Sequence, residues 1–357
     1  MANNEGKTLD NKCPACNASL KYNAQKGKWK CEYCGVEYTL EDLKKYTNAS
    51  SDKVNDGEKG DDATYDLYRC PDCGAEIVAD ENTASTFCVY CGNSAILKNK
   101  LSGKFAPNYI IPFTKTKDDA IEAFKKVTKG KPFTPSAFKT DANIEKIRGI
   151  YIPFWLYSIM LTGKANISAT RSTSWTKGDT HYTKTDYYNV VRGGSMKFSR
   201  IPVDGSSRFD DALMNTIEPF DYSELKKYNH AYLSGFLAEK YDVDKENSFT
   251  PAKDRAISTA DEQFLATCTG YTTRSILSRD YTPNEESCEY VLLPVYMVNV
   301  KYNDKYYTFA MNGQTGEFVG NVPVSFKKAL LKTTIVFIIA FIIALIASYL
   351  FFNMGGN

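Results

Sequence analysis

Four cysteine pairs constrain this chain more than any other feature. Cys13 and Cys16 form CPAC, Cys31 and Cys34 form CEYC, Cys70 and Cys73 form CPDC, and Cys88 and Cys91 form CVYC. Fourteen residues separate the pairs within each set, and the second set repeats the first 57 residues further on. A CxxC turn aims two sulfurs at one point, so two facing turns offer four thiolates to a tetrahedral ion. The spacing predicts two zinc ribbons, over residues 1–46 and 67–100, each holding one structural Zn2+. Pro14 and Pro71 preset the turns, and Gly35, Gly74 and Gly92 let the backbone run close to the sulfurs. The intervening residues form a short hairpin, with Trp29 or Phe87 packed beside the ion. Four protein ligands leave no open position, so the ion stabilises and does not catalyse. Iron in a rubredoxin-like site is the rival occupant.

The chain has ten Cys and only two His, so metal chemistry here runs on thiolate and a His-rich catalytic centre is excluded. The N-terminal run MANNEGKTLDNKC has no apolar stretch, which speaks against a signal peptide. From Thr333 to Phe352 there is no charged residue. Twenty helical residues span about 30 Å, one hydrocarbon thickness, so 333–352 is expected to cross a bilayer. Residues 353–357 form a short tail, making the chain tail-anchored. Lys327, Lys328 and Lys332 precede the span and no charge follows it. The positive-inside rule then makes this a single-pass cell-membrane protein with its N-terminal domains in the cytoplasm. That compartment is reducing, which favours metal over disulfides. Ala340, Ala344 and Ala347 share a helix face on which a second copy could pack to make a homo-oligomer.

Charge bears on partners. The 44 basic and 42 acidic residues exclude a polycationic nucleic-acid coat. Residues 1–100 hold 13 Lys+Arg and 16 Asp+Glu, a balance of −3, and two tetrathiolate zinc centres lower it to −7. Lys21, Lys26, Lys28 and Lys30 in the first hairpin are the best case for nucleic acid, and Asp72, Glu76, Asp80 and Glu81 oppose it in the second. Protein binding is therefore favoured. Residues 47–66 are polar and rich in Ser, Asp, Asn and Gly, and they predict a flexible linker that frees the ribbons to move.

Residues 104–326 predict an α+β domain with a mainly antiparallel sheet. NYIIPF (108–113) is a strand, Thr116 and Asp119 form a capping box, and Gly130 and Pro132 end the helix. Further helices are expected over 143–148, 210–217, 222–241 and 251–265, and strands over 149–172, 181–203 and 271–281. A hairpin turns at Asn303–Asp304, and another turn lies at Asn312–Gly316. Pro112, Pro153 and Pro294 each interrupt an apolar strand, which places them at edges or bulges. No P-loop, HExxH, GxSxG or GxGxxG motif is present, so no catalytic residue is assigned. His181 and His230 are ordinary surface or core residues. Cys268 and Cys288 fall outside the knuckles, as buried thiols or as a pair meeting in space.

The CPxC…CxYCG ribbons, the IIPF and GIYIPFWLYS stretches, NGQTGEF and the C-terminal span together resemble a family of bacterial membrane proteins. That family is labelled TFIIB-type zinc ribbon-containing and is sometimes mislabelled primosomal helicase. A helicase needs a P-loop, which is absent here. Proteins of the family accompany SPFH-type membrane scaffolds, so the resemblance implies a part in an envelope-stress or membrane-organising complex. The expected function is a non-enzymatic, tail-anchored adaptor whose ribbons reach out to a protein partner. The alternatives are a membrane-tethered nucleic-acid or transcription protein, and a small-ligand sensor or enzyme built on the middle domain.

Overall fold

The computed structural model describes residues 13–48, 66–70, 74–79, 88, 97–100, 107–131, 133–140, 144, 146–208, 211–303 and 305–354. β1 (Leu20–Asn23), β2 (Lys28–Cys31) and β3 (Glu37–Tyr38) form a small antiparallel sheet, followed by α1 (Leu40–Asn48). β4 (Asp66–Arg69) pairs antiparallel with both β5 (Glu76–Ala79) and β6 (Leu97–Lys100). Next come β7 (Tyr109–Ile110), α2 (Lys117–Gly130), β8 (Arg148–Lys177) and β9 (Thr180–Asp204). α3 (Asp211–Ile217), β10 (Lys226–Lys227), β11 (Leu237–Glu239) and α4 (Lys245–Ala266) lead to the long β12 (Thr273–Tyr302). β13 (Lys305–Asn312), β14 (Phe318–Gly320) and α5 (Phe326–Met354) complete the order.

β4 to β14 join one 11-stranded sheet, of order β10-β7-β12-β8-β11-β5-β4-β6. β9 lies on β8, and β13 then β14 extend from β12. The sheet is mainly antiparallel as expected, with parallel pairings only of β11 on β8 and β7 on β12 among the described strands. The protein is thus α+β.

Pro153 and Pro294 are neither at outer edges nor at bulges. On one flank of β8 the partner changes from β9, paired at Phe154, to β11, paired at Ile150 and Tyr151. On the far flank of β12 it changes from β7, paired at Leu292, to β13, paired at Val295. Each proline sits at such a changeover, where a missing N–H breaks no ladder. Its carbonyl accepts from a glycine amide just past the neighbouring strand, Gly205 for Pro153 and Gly313 for Pro294, at 2.8 Å in both cases.

Alternation along β8 and β12 divides the core between the two faces. Tyr151, Leu292, Tyr296 and Val298 point to one face, with Phe113, Phe124, Phe138 and Phe309. Ile150, Ile152, Phe154, Leu293 and Val295 point to the other, with Met214, Ile217 and Phe220. Beyond this core β8, β9 and β12 continue as an arm. α4 covers one face of the arm with Ser248, Ala252, Ala256, Ala260 and Phe264, a stripe of mostly small residues that lets the helix lie close. Gly163 is needed within the arm, because a Cβ there would come within 2.0 Å of the Asp280 carbonyl oxygen.

Past Thr170 and Thr273 only β8 and β9 remain paired, as a two-stranded ribbon. Trp175 and Tyr182 stack across it with centroids 5.7 Å apart, and His181 lies exposed beside the Gly178 turn.

The helix expected over 222–241 is absent. The stretch instead forms short 3-10 turns at Tyr222–Glu224 and His230–Leu233 and the strands β10 and β11. Asp221 and Asn229 accept hydrogen bonds from the amides of Ser223 and Ala231, and Gly235 takes φ 85, so local side-chain turns win over a helix. The helix expected over 251–265 begins six residues earlier, because Asp244 caps it by accepting from Asn247 N. Pro251 lies on its exposed side, as does Asn247, the residue one turn earlier whose carbonyl loses its usual helical donor to the proline. Of the expected helix 143–148, residues 143 and 145 lie outside the described residues, and Arg148 already belongs to β8. The expected strand 108–113 shortens to β7. Residues 49–65 of the expected linker lie outside the described residues, while 47–48 close α1 and Asp66 opens β4.

The capping box on α2 is present. Asp119 N donates to Thr116 Oγ1 at 3.2 Å, and Thr116 N donates to Asp119 Oδ2 at 2.7 Å. We expect Thr116→Ala to cost about 1 kcal/mol, measured by denaturant unfolding in detergent. The amide and hydroxyl of Thr116 hold the Asp119 carboxyl below its usual range. The contribution of the box is therefore complete above the ordinary carboxylate range and fades as pH falls through that lowered value.

Candidate metal centre

The first two knuckles share one backbone design. Cys13 N donates to Ala18 O and Asn17 N to Cys13 O; Cys31 N donates to Val36 O and Gly35 N to Cys31 O. The residue four positions after each leading cysteine is left-handed, Asn17 at φ 61 and Gly35 at φ 75. The glycine is needed for that φ and not for closeness to sulfur, since a Cβ on Gly35 would meet nothing within 4 Å. In the first knuckle Asn17 fills the same role, which the CPACN sequence did not advertise.

The β1–β2 hairpin folds these knuckles together. Cys13 Sγ lies 3.5 Å from Cys34 Sγ, and Cys16 Sγ lies 3.5 Å from Cys31 Sγ. All four sulfurs lie within 4.8 Å of one another. A tetrahedral zinc with Zn–S of about 2.3 Å needs sulfurs roughly 3.8 Å apart, so the donor set and spacing fit such an ion. Burial pushes the Cys13 thiol up, but the Tyr38 hydroxyl and the amides of Ala15 and Cys16 outweigh it and bring it to about 6. The Ala18 amide pulls Cys16 down, but burial and the three neighbouring sulfurs carry it up to about 12. Cys31 is lowered, chiefly by the Cys34 amide. Cys34 is raised: the Val36 amide works against this and is outweighed by burial and the sulfurs of Cys31 and Cys13. Like charges at this distance do not all ionise together, and a divalent cation bound here would take the place of the remaining protons.

In the second cysteine set, Cys70 and Cys88 are buried, while Cys73, Cys91, Phe87 and Gly92 lie outside the described residues. Cys70 repeats the knuckle backbone: its N donates to Ala75 O, Gly74 N donates to Cys70 O, and Gly74 takes φ 69. Cys70 and Cys88 join the apolar cluster on the sheet face opposite to the first set.

The first cysteine unit is not held away from the domain. Trp29, on the same side of β2 as Cys31, is buried against Tyr22 and Tyr232, with ring centroids 4.9 and 5.2 Å away. Its indole N–H donates to Ala231 O at 2.7 Å, and Tyr22 N donates to Ser234 O at 3.3 Å. Trp29 thus serves as the docking plug of this unit. β5 in turn pairs with β11, and the buried Glu239 of β11 meets Arg208, whose guanidinium donates to Gly74 O at 3.0 Å. The first cysteine unit, together with Cys70 and Cys88 of the second set, thus packs against the domain, where the sequence led us to expect ribbons extended from it. Sequence reasoning missed Tyr232, Arg208 and Glu239, and no local pattern marks them.

In the first hairpin Lys21 pairs with Glu32 and Lys26 with Glu37, each at 2.6 Å. Cys268 and Cys288 do not meet: Cys268 is packed under α4 with Phe264, and Cys288 is half-buried beside Tyr157. α5 is long and apolar enough to cross a membrane, and its apolar stretch is wholly exposed. Ala340, Ala344 and Ala347 lie exposed on it.

No protein-family model matches the chain. No solved structure matches it either. The chain is 36% identical over 314 residues to the uncharacterized protein YdjG of Bacillus subtilis (strain 168), a similarity that covers 88% of this chain and 90% of that one. The chain therefore belongs to the same family as that Bacillus protein.

Proposed function

We propose that this protein is a non-enzymatic adaptor, anchored in the cell membrane by α5 with its domains in the cytoplasm. Two structural zinc ions, on Cys13/Cys16/Cys31/Cys34 and on Cys70/Cys73/Cys88/Cys91, brace it; Cys13 and Cys31 lie on the sheet face opposite to Cys70 and Cys88. The partner is a protein, and by the resemblance in sequence an SPFH-type membrane scaffold. What carries this reading is the arm. β12 runs unbroken for 30 residues, a contour of about 100 Å, from the exposed arm toward the start of α5. Reach comes from this rigid β arm and not from swinging ribbons. A stacked, solvent-exposed Trp175–Tyr182 pair is the kind of aromatic anchor that protein interfaces use.

Against the nucleic-acid alternative stand the Lys21–Glu32 and Lys26–Glu37 pairs, which neutralise two of the four hairpin lysines. Against the ligand-sensor alternative stands a core in which Tyr151, Tyr157 and Tyr290 fill the interior with their own rings.

The test is affinity purification of the full chain from detergent. One protein is expected to co-purify with the wild type and to be lost with Trp175→Ala/Tyr182→Ala, both forms remaining in the membrane fraction and keeping their metal. Equal recovery from both forms defeats the role of the arm, and the absence of any protein partner defeats the adaptor reading.

A further inference from the structure

The membrane anchor leaves one end of the domain facing the bilayer, and the sheet shows which end. β14 runs antiparallel to β13, with Phe309 opposite Gly320. The chain leaving Gly320 therefore travels along β13 toward Lys305, and α5 starts at the end of the sheet where the β12–β13 turn lies. The loop after α2 meets it there. Ser325 N donates to Phe133 O at 2.9 Å, Lys328 Nζ donates to Thr134 O at 2.8 Å, and Lys332 Nζ lies 5.6 Å from the centre of the Phe133 ring. Phe133 thus stands level with the last charged residue before the apolar stretch. Phe138, at the end of the same loop, packs against Tyr302 and Tyr307 on either side of the turn, with centroids 5.8 and 5.5 Å away.

The described residues of three segments remote in sequence therefore share this end: 129–140, 301–306 and 321–332. Together they hold eight lysines and one acidic residue, Asp304. Lys129, Lys131, Lys301, Lys305, Lys327 and Lys332 are all exposed. Val324 and Phe326 are 67% and 79% exposed beside them, and Tyr306 is 51% exposed under the Lys301 ammonium. Clustered lysines with interleaved aromatic and aliphatic residues next to a span match an anionic headgroup layer in charge and polarity.

We infer that this face, built from Lys129, Lys131, Lys301, Lys305, Lys327 and Lys332, rests on anionic lipid headgroups and holds the domain against the bilayer, with the arm directed away. The inference rests on the anchor proposed above and adds a second, electrostatic contact to it. The domain is then oriented rather than swinging on α5.

The test is amine-labelling mass spectrometry on the full chain in nanodiscs. One set contains phosphatidylcholine alone, the other phosphatidylcholine with phosphatidylglycerol. Labelling of Lys131, Lys301 and Lys305 is expected to slow about fivefold in the anionic discs only, the change that one lysine's attraction to a charged leaflet gives. Lys177 on the arm is expected to label equally in both. Lys301→Glu/Lys305→Glu, at an exposed turn, is expected to remove the protection of Lys131. Incorporation into discs with equal labelling in both lipids overturns the inference while leaving the anchor intact. Protection that includes Lys177 overturns it as nonspecific adhesion. A chain that does not enter discs at all overturns the anchor and this surface together.

Discussion

Replacing Cys31 by Ser is expected to release one metal ion per chain and to unfold residues 13–48, leaving the other ion in place. An ion on these four sulfurs would be the main source of order for a unit with only three short strands and one helix. Zinc in a small tetrathiolate module supplies on the order of 10–16 kcal/mol of apparent binding energy. Docking through Trp29 supplies about 3–5 kcal/mol, so contact with the domain does not substitute for the ion. Metal analysis is expected to fall from two ions per chain to one, and amide exchange over 20–38 to become fast. A wild type holding one ion defeats the two-site reading. Unchanged protection in the Cys31→Ser form defeats the dependence on metal.

The second large effect is expected at Trp29. Trp29→Ala removes a ring 1% exposed and one of the two donors to the Ala231 carbonyl, the Ser234 amide remaining. The expected loss is about 3–5 kcal/mol in the transition that includes residues 13–48, with metal content unchanged. Trp29→Phe keeps a ring but loses one hydrogen bond to a carbonyl that retains the Ser234 amide, for a smaller loss of roughly 0.5–1.5 kcal/mol. A double-mutant cycle of Trp29→Ala with Tyr232→Ala isolates the ring contact, with a coupling of about 0.5–1.5 kcal/mol expected. A loss below 1 kcal/mol for Trp29→Ala means that the unit is held by the metal alone.

Much of the candidate centre was legible because its determinants are local. A knuckle is closed by hydrogen bonds between residues four and five apart, so CxxC followed by Gly announces it. Asn17 in place of that Gly shows how the φ requirement can be met otherwise. The capping box at Thr116 and the hairpin turn at Asn303 (φ 50) are equally short-range and were correctly placed. The 222–241 stretch failed for the same reason in reverse. Its apolar spacing suits a helix, but Asp221, Asn229 and Gly235 offer the backbone closer partners.

What the sequence determined alone was the chemistry carried by neighbours along the chain: four thiols at one point, the ends of α2, the charge-free length of α5 and the turn before β13. The tertiary structure decided which surfaces meet. Trp29 and Ala231 are 202 residues apart, and β8 and β12 pair residues more than a hundred apart. It also set Cys13 and Cys31 on the face of one sheet opposite to Cys70 and Cys88, put Pro153 and Pro294 at partner changeovers, and gathered lysines from three segments beside the start of α5. Strand pairing depends on which distant edge is open and which face is buried, and neither is encoded in the few residues on either side of a position.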